Sequence, residues 1–167
     1  MGTPAREHDV GAGRRVLVAI VALVALRALI LPVLLTDPLT TRANANLTGD
    51  VRRFHRIAES PGTPWRDFDV EYPPVMWVAI VALDTPSLRW TTASIVLSQF
   101  VCDVAIAAAL AYAWSRRAAL WYLALGATLV VFPFIYLRLD LLSVALAIWG
   151  FALVRRRREV AGGGLLA

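Results

Sequence analysis

The stretch that decides the fold is residues 16–35, which read VLVAIVALVALRALILPVLL. Arg27 is its only charged residue. An α-helix needs about 20 predominantly apolar residues to cross the hydrocarbon core of a bilayer, so this stretch has the length of one crossing. It is longer than the apolar core of a signal peptide and lacks a small-residue cleavage site. We therefore interpret it as a membrane-spanning helix.

The composition of the whole chain follows the same pattern. The 167 residues are 59% hydrophobic and their mean hydropathy is +0.64, well above the values of soluble domains. Every side-chain cation except histidine is arginine, which together with the abundant alanine and valine indicates a GC-rich bacterial genome. The arginines cluster at the ends of apolar blocks, at 14–15, 116–117 and 155–158. This distribution is typical of cytoplasmic membrane flanks and not of a nucleic-acid-binding patch.

Charge also selects the topology. We predict an all-α integral membrane helical bundle of four transmembrane helices in a bacterial plasma membrane, with both termini cytoplasmic, because this places every arginine cluster on one side. The apolar segment 75–83 is too short to cross alone, so we expect it to be interfacial or re-entrant. The predicted segments are a polar N-terminus at 1–15 that is frayed over 1–13, spans at about 16–35, 88–114, 118–137 and 139–154, an outer loop at 36–87, and a basic cytoplasmic tail at 155–167.

The outer loop is predicted to contain amphipathic and interfacial helices. Between residues 47 and 60, apolar residues recur at helical spacing, namely Leu47, Val51, Phe54 and Ala58. This spacing predicts a short amphipathic helix along the membrane surface. Asp50 lies in its first turn, where the positive end of the helix dipole favours a carboxylate. The loop ends in the rigid step Glu71-Tyr72-Pro73-Pro74.

This topology brings charged residues from two separate parts of the chain to one membrane face. Asp50 and Glu71 lie in the outer loop, whereas Arg138 and Asp140 lie where the third predicted span joins the fourth. Polar groups that converge at the edge of a membrane indicate a functional site.

Two further charges lie inside predicted spans. Arg27 and Asp103 are each about eleven residues, or roughly 17 Å, from the inner end of their helix. An unpaired charge at this depth costs at least about 2.5 kcal/mol, so we expect the two to form an ion pair between antiparallel helices. The pair either determines the register of the helices or lines the path of a lipid carrier, and the sequence leaves both options open.

An ordered set of motifs runs from the outer loop to the start of the fourth span. The motifs are Thr48-Gly49-Asp50, Arg53-Phe54-His55, Thr63-Pro64-Trp65-Arg66-Asp67-Phe68, Glu71-Tyr72-Pro73-Pro74 and Arg138-Leu139-Asp140-Leu141-Leu142. In order and spacing, the set resembles bacterial GT-C membrane glycosyltransferases, most closely the mannosyltransferase-like group that uses polyprenyl-phosphate sugars. The likeness extends over about 17–154 and covers only the N-terminal module of that family. By this resemblance the chain is a fragment, a truncated gene product or half of a split enzyme, and in the last case a C-terminal half or a partner membrane subunit completes it.

The resemblance also implies an activity and the residues that perform it. The reaction would transfer a sugar from a polyprenyl-phosphate-linked donor to a glycan or lipid acceptor at the outer face. Asp50 would be the general base, while Glu71 and Asp140 would orient the acceptor or hold a divalent cation. Arginines would stabilise the leaving phosphate, because a guanidinium binds phosphate oxygens in a bidentate manner. The implied donor and substrate contacts are Arg53, Arg66, Arg138, His55 and Tyr72.

Simpler explanations for the same residues stay open. Asp50 can be a helix-start residue without chemistry, Glu71 can pair with Arg66, and Arg138 and Asp140 can be flanking charges at a helix end. The alternative function is a non-catalytic membrane subunit that binds a lipid carrier or scaffolds a partner. The sequence contains no motif for a serine or cysteine hydrolase, a P-loop or a zinc site.

Overall fold

The computed structural model describes residues 5–36, 49–126 and 135–166. These ranges are predominantly α-helical and contain no β-strand, so the predicted all-α class is confirmed. The helices are α1 (Ala5–Thr36), α2 (Gly49–Glu59), α3 (Pro74–Leu83), α4 (Leu88–Ala113), α5 (Arg116–Leu125), α6 (Asp140–Arg155) and α7 (Glu159–Leu166), with α6 and α7 following a gap in the described residues.

Two helices in the described part of the chain are long and apolar enough to cross a membrane. They are Gly13–Leu35 within α1 and all of α4, Leu88–Ala113. Few side chains in the segment Gly13–Leu35 of α1 are buried, and that of Leu29 is 73% exposed, which suits a helix that faces lipid. Helix α1 begins at Ala5, so the expectation of a frayed N-terminus is wrong for residues 5–13.

The helices observed in the other two predicted spans are shorter than a typical membrane crossing. The span expected at 118–137 contains α5, which has 10 residues and ends at Leu125, and residues 127–134 lie outside the described ranges. The span expected at 139–154 corresponds to α6, which has 16 residues. Because a crossing needs about 20 residues, the count of four spans stays a prediction.

Helices α1 and α4 are antiparallel. Leu34, near the end of α1, shares an apolar cluster with Ile95, near the start of α4. Ile20, in the first half of α1, instead packs against a cluster that contains Ala107. Helix α5 contributes Leu123 to this second cluster and thus packs against both long helices.

Helices α4 and α6 run in the same direction. The backbone N–H of Leu141, at the start of α6, donates to the side chain of Gln99 in the middle of α4. At the other end, Arg155 Nε donates to the carbonyl oxygen of Ala113, the last residue of α4, at 3.0 Å. Cations are favoured at the negative end of a helix. The two hydrogen bonds place the arginines after α6 at the same end of the bundle as the C-terminus of α4.

The two short helices predicted in the outer loop are present. Helix α2 buries Val51, Phe54 and Ile57 against α3 and α4. Helix α3 begins with Pro74 in its first turn, where the missing amide hydrogen of proline removes no helical hydrogen bond. With 10 residues, α3 is the short apolar helix that the Pro-Pro step predicts.

The segment expected to be a basic tail folds back as α7. It packs closely on α6, since a Cβ atom on Gly162 would lie 2.7 Å from the carbonyl oxygen of Gly150. The two helices are joined through Arg157, which has a φ of 60°. Glycine at position 162 lets the two backbones approach to a distance that any side chain would prevent.

Candidate functional site

One guanidinium lies between two carboxylates where α2 meets the start of α6. Arg138 Nε is 3.4 Å from Asp50 Oδ2 and 3.2 Å from Asp140 Oδ2. We call Asp50, Arg138 and Asp140 the carboxylate–arginine cluster. The structure thus brings together residues from the outer loop and from the start of the last predicted span.

The helices that carry the cluster also explain its charge. Asp50 and Asp140 each lie in the first turn of a helix, α2 and α6 respectively. The positive end of a helix dipole favours an ionised carboxylate at that position. The start of α6 is anchored on α4, because the buried side chain of Gln99 accepts a hydrogen bond of 3.1 Å from the Leu141 amide. Packing of α2 and hydrogen bonding to α4 therefore hold the two carboxylates in place.

The cluster is accessible from outside the protein. The side chains of Asp50, Arg138 and Asp140 are 39%, 52% and 70% exposed. Ion pairs with this exposure contribute only about 0–1 kcal/mol each. Arg138 can therefore exchange a carboxylate for an oxygen atom of a bound phosphate at little cost.

A second ion pair lies beside the cluster. Arg53 Nη2 contacts Glu71 Oε1, and this hydrogen bond raises the pKa of Arg53. Burial raises the pKa of the Tyr72 hydroxyl, while the positive charges of Arg53 and Arg138 lower it. Because Asp50 and Glu71 also act on this hydroxyl, both ion pairs lie near one tyrosine. The charges of four predicted site residues thus act on Tyr72.

Arg66 lies apart from this group. Its Nε is 3.4 Å from Asp67 Oδ1, and its side chain is 81% exposed. The alternative that Arg66 pairs with Glu71 is wrong, because Arg53 occupies that carboxylate. Asp67 also accepts a hydrogen bond of 2.7 Å from the backbone N–H of Thr63, which closes a tight turn. Arg66 lies within this turn.

His55 contacts a different part of the protein from Asp50. Its Nδ1 is 2.7 Å from Asp84 Oδ1, and Thr91 Oγ1 donates to the same oxygen at 2.9 Å. Five positions along a helix correspond to a rotation of about 140°, so the spacing already indicates that His55 and Asp50 face different directions. Sequence reasoning missed Asp84, which joins α2 to the junction of α3 and α4.

The intramembrane charges predicted to pair are paired in the structure. Arg27 Nη1 is 3.1 Å from Asp103 Oδ2, and both residues are 1% exposed. The hydroxyls of Tyr122 and Tyr136 each donate to the Asp103 carboxylate at 2.6 Å. Sequence reasoning missed these tyrosines, although two hydroxyls in an apolar stretch are a signal that a buried acceptor is near.

Arg27 also explains where α5 ends. Its Nη2 donates to the carbonyl oxygen of Leu123 at 2.6 Å, and its Nη1 donates to that of Gly126 at 3.4 Å. A Cβ atom at Gly126 would lie 2.9 Å from Arg27 Nη2, so glycine leaves room for the guanidinium. The last carbonyls of a helix need such donors from outside the helix. Within the segment predicted as the span 118–137, α5 thus ends at Leu125, where a buried arginine caps it.

A metal site is not evident in the described ranges. They contain no group of three or more histidine, cysteine, aspartate or glutamate side chains placed to hold a metal ion. Between Asp50 and Asp140, the Arg138 guanidinium occupies the position that a cation would need. The divalent cation suggested by the resemblance stays a prediction.

Comparisons with protein-family models, curated proteins and solved structures find no match to this chain. The function is therefore inferred from the carboxylate–arginine cluster, from the Arg53–Glu71 ion pair beside it and from the helices that carry them.

Proposed function

We propose that the protein is a membrane glycosyltransferase of the GT-C type, or the N-terminal module of one. It transfers a sugar from a polyprenyl-phosphate donor to a glycan or lipid acceptor at the outer face of a bacterial plasma membrane. The observation that carries the proposal is the 3.4 Å contact between Arg138 Nε and Asp50 Oδ2. It joins a carboxylate suited to general-base catalysis with a guanidinium suited to phosphate, in a pair that substrates can reach.

In this proposal Asp50 accepts the proton of the acceptor hydroxyl while the hydroxyl oxygen attacks the anomeric carbon of the sugar. The bond from that carbon to the donor phosphate breaks, and its electron pair stays on the polyprenyl phosphate. Arg138 turns from its carboxylates to the leaving phosphate and stabilises the added charge. Arg53 provides a second guanidinium nearby, and its ion pair with Glu71 keeps it oriented.

The helices around the cluster support a substrate that is anchored in lipid. A polyprenyl chain needs an apolar layer beside the reacting phosphate. The two candidate membrane-crossing helices, in α1 and α4, would border that layer. Asp140 and Arg155 lie at opposite ends of α6, about 22 Å apart along a helix of this length. With the arginine cluster cytoplasmic, the carboxylate–arginine cluster would lie towards the outer face.

A non-catalytic subunit that binds a lipid carrier or scaffolds a partner is the second candidate function. One observation favours it, because the contact from Arg138 to both Asp50 and Asp140 also ties α2 to α6 mechanically. In that case Asp50 is a structural residue, and any phosphate binding depends on the arginines alone.

The substitution Asp50→Asn distinguishes the two functions. Transfer of radiolabelled sugar from a panel of polyprenyl-phosphate donors is measured in membranes of the producing strain, so that any partner subunit is present. Loss of the general base is expected to lower transfer by about 100-fold or more. Asp69→Asn is the matched control, since Asp69 is an exposed aspartate of the same loop. Transfer at the wild-type rate by Asp50→Asn, with normal protein levels, would contradict the catalytic role.

A further inference from the structure

A concave surface lies on α2, on the side turned away from the carboxylate–arginine cluster. It is an open groove of about 420 Å³ lined by Arg52, His55, Arg56 and Leu88, mostly through apolar atoms. Arg52 is two positions from Asp50, which corresponds to a rotation of about 200° around the helix. The groove, which we call the α2–α4 groove, is therefore separate from the proposed catalytic site.

Two arginines in this groove have no carboxylate partner within the described ranges. Arg52 and Arg56 lie one helical turn apart on α2, and the Arg56 guanidinium donates to the backbone carbonyl of Arg52 at 3.5 Å. Arg53 and Arg138, in contrast, are both held by carboxylates. Like charges four positions apart on a helix destabilise it slightly, so an anion placed between Arg52 and Arg56 would relieve their repulsion.

The start of α4 adds a further positive end to the groove. Leu88 is the first residue of α4, whose first turn contains no acidic residue. Ser87 precedes it and makes no side-chain capping hydrogen bond. The amide groups of this first turn therefore lack a side-chain cap from Ser87, and the Asp84 carboxylate at the same end of α4 accepts the Thr91 hydroxyl instead.

Two carboxylates beside the groove are associated with the imidazole of His55. Asp84 accepts hydrogen bonds from Thr91 and contacts His55 Nδ1, and its side chain is only 14% exposed. Glu59 Oε1 lies 3.6 Å from His55 Nε2. Neither carboxylate forms an ion pair with Arg52 or Arg56, so these two guanidinium groups remain the cations available to a ligand.

We propose that the α2–α4 groove binds the phosphate headgroup of an anionic membrane lipid between the guanidinium groups of Arg52 and Arg56. The lipid chain passes Leu88 and continues along α4, a candidate membrane-crossing helix. Trp90, in the first turn of α4, is 65% exposed, and tryptophan concentrates at the headgroup level of bilayers. The forked guanidinium groups match phosphate oxygens, and the apolar walls match a lipid chain. This lipid site does not depend on the transfer reaction.

Native mass spectrometry of the delipidated full chain in detergent tests the site. The protein is titrated with phosphatidylglycerol, with phosphatidylcholine of the same chains, and with inorganic phosphate. The double variant R52Q/R56Q is expected to bind the first equivalent of phosphatidylglycerol about tenfold more weakly or worse, with phosphatidylcholine unaffected. Because both side chains are exposed, the helix content by circular dichroism should be unchanged.

The matched control is R157Q/R158Q, which removes two exposed arginine charges beyond α6. It is expected to keep the first equivalent of phosphatidylglycerol at wild-type affinity. Equal weakening in both double variants would reduce the effect to general charge attraction and overturn the site. Unchanged binding in R52Q/R56Q would overturn it as well. Displacement of the lipid by inorganic phosphate at an equal concentration would show a free-anion site and overturn the lipid assignment.

Discussion

Replacing Asp103 with asparagine is expected to destabilise the helical bundle by about 3–5 kcal/mol, because it leaves a buried guanidinium without its counter-charge. Arg27 and Asp103 are each 1% exposed, so solvent cannot substitute for the lost carboxylate. The carboxylate also accepts the hydroxyls of Tyr122 and Tyr136 at 2.6 Å. Asparagine offers one acceptor oxygen in place of two, and a buried polar group left unpaired adds about 1–3 kcal/mol.

Exchanging the two charges should restore only part of this loss. The double variant Arg27→Asp/Asp103→Arg is again neutral, but position 27 then has no donor for the carbonyl oxygens of Leu123 and Gly126. Those oxygens lie 2.6 and 3.4 Å from the guanidinium in the wild type. The charge exchange therefore separates the ion pair from the capping of α5.

The free energy of unfolding is measured by titrating the protein in mixed micelles with a denaturing detergent, with helix content followed by circular dichroism. Thr92→Val is the control on the same helix, because Thr92 donates only to the Leu88 carbonyl of α4 at 2.7 Å, and its effect should stay within about 0.5 kcal/mol. If Asp103→Asn is as stable as this control, the ion pair does not stabilise the bundle. Full recovery in the exchanged variant would refute the capping of α5 by Arg27.

Two further predictions concern helix contacts. Gly162→Ala should weaken the packing of α7 on α6 by about 1–3 kcal/mol, because its Cβ would lie 2.7 Å from a backbone oxygen. Gly163→Ala, which has open space around its Cβ, should not weaken it, and equal protease sensitivity of the two variants would contradict this. Asp84→Asn should loosen α2 by about 1–3 kcal/mol through its contact with His55. Hydrogen exchange of the α2 amides should rise in this variant but not in Glu59→Gln, and protection as in the wild type would show that α2 is held by its apolar face alone.

The helices that the sequence predicts well have strong local patterns. Helix α2 follows from apolar residues at helical spacing, and the structure buries Val51 and Phe54 as that spacing requires. The membrane-crossing part of α1 follows from its apolar length, and α3 follows from Pro73 and Pro74. The end of α5 at Leu125 could not be predicted, because it depends on Arg27, which lies 96 positions from the carbonyl it caps.

The sequence predicted which residues of the candidate site lie at the same face, but it did not predict every ion pair between them. Hydropathy and charge indicated that Asp50, Arg138 and Asp140 lie at one face, and the ion pairs in the structure join these residues. The partner of Glu71 could not be predicted, since Arg53 and Arg66 are both close to it in sequence. Packing of α2 decides this choice, because it directs Arg53 towards Glu71.

Sequence alone determined the helical class, the two long apolar helices and the amphipathic α2, since length and periodicity are properties of neighbouring residues. Only the tertiary structure decided that Arg27 both neutralises Asp103 and ends α5, and that His55 contacts Asp84 instead of the cluster at Asp50. These choices depend on the rotation of each helix and on the groups that the packed helices present to one another. Neither the rotation of a helix nor the groups that it meets can be predicted from a local pattern in the sequence.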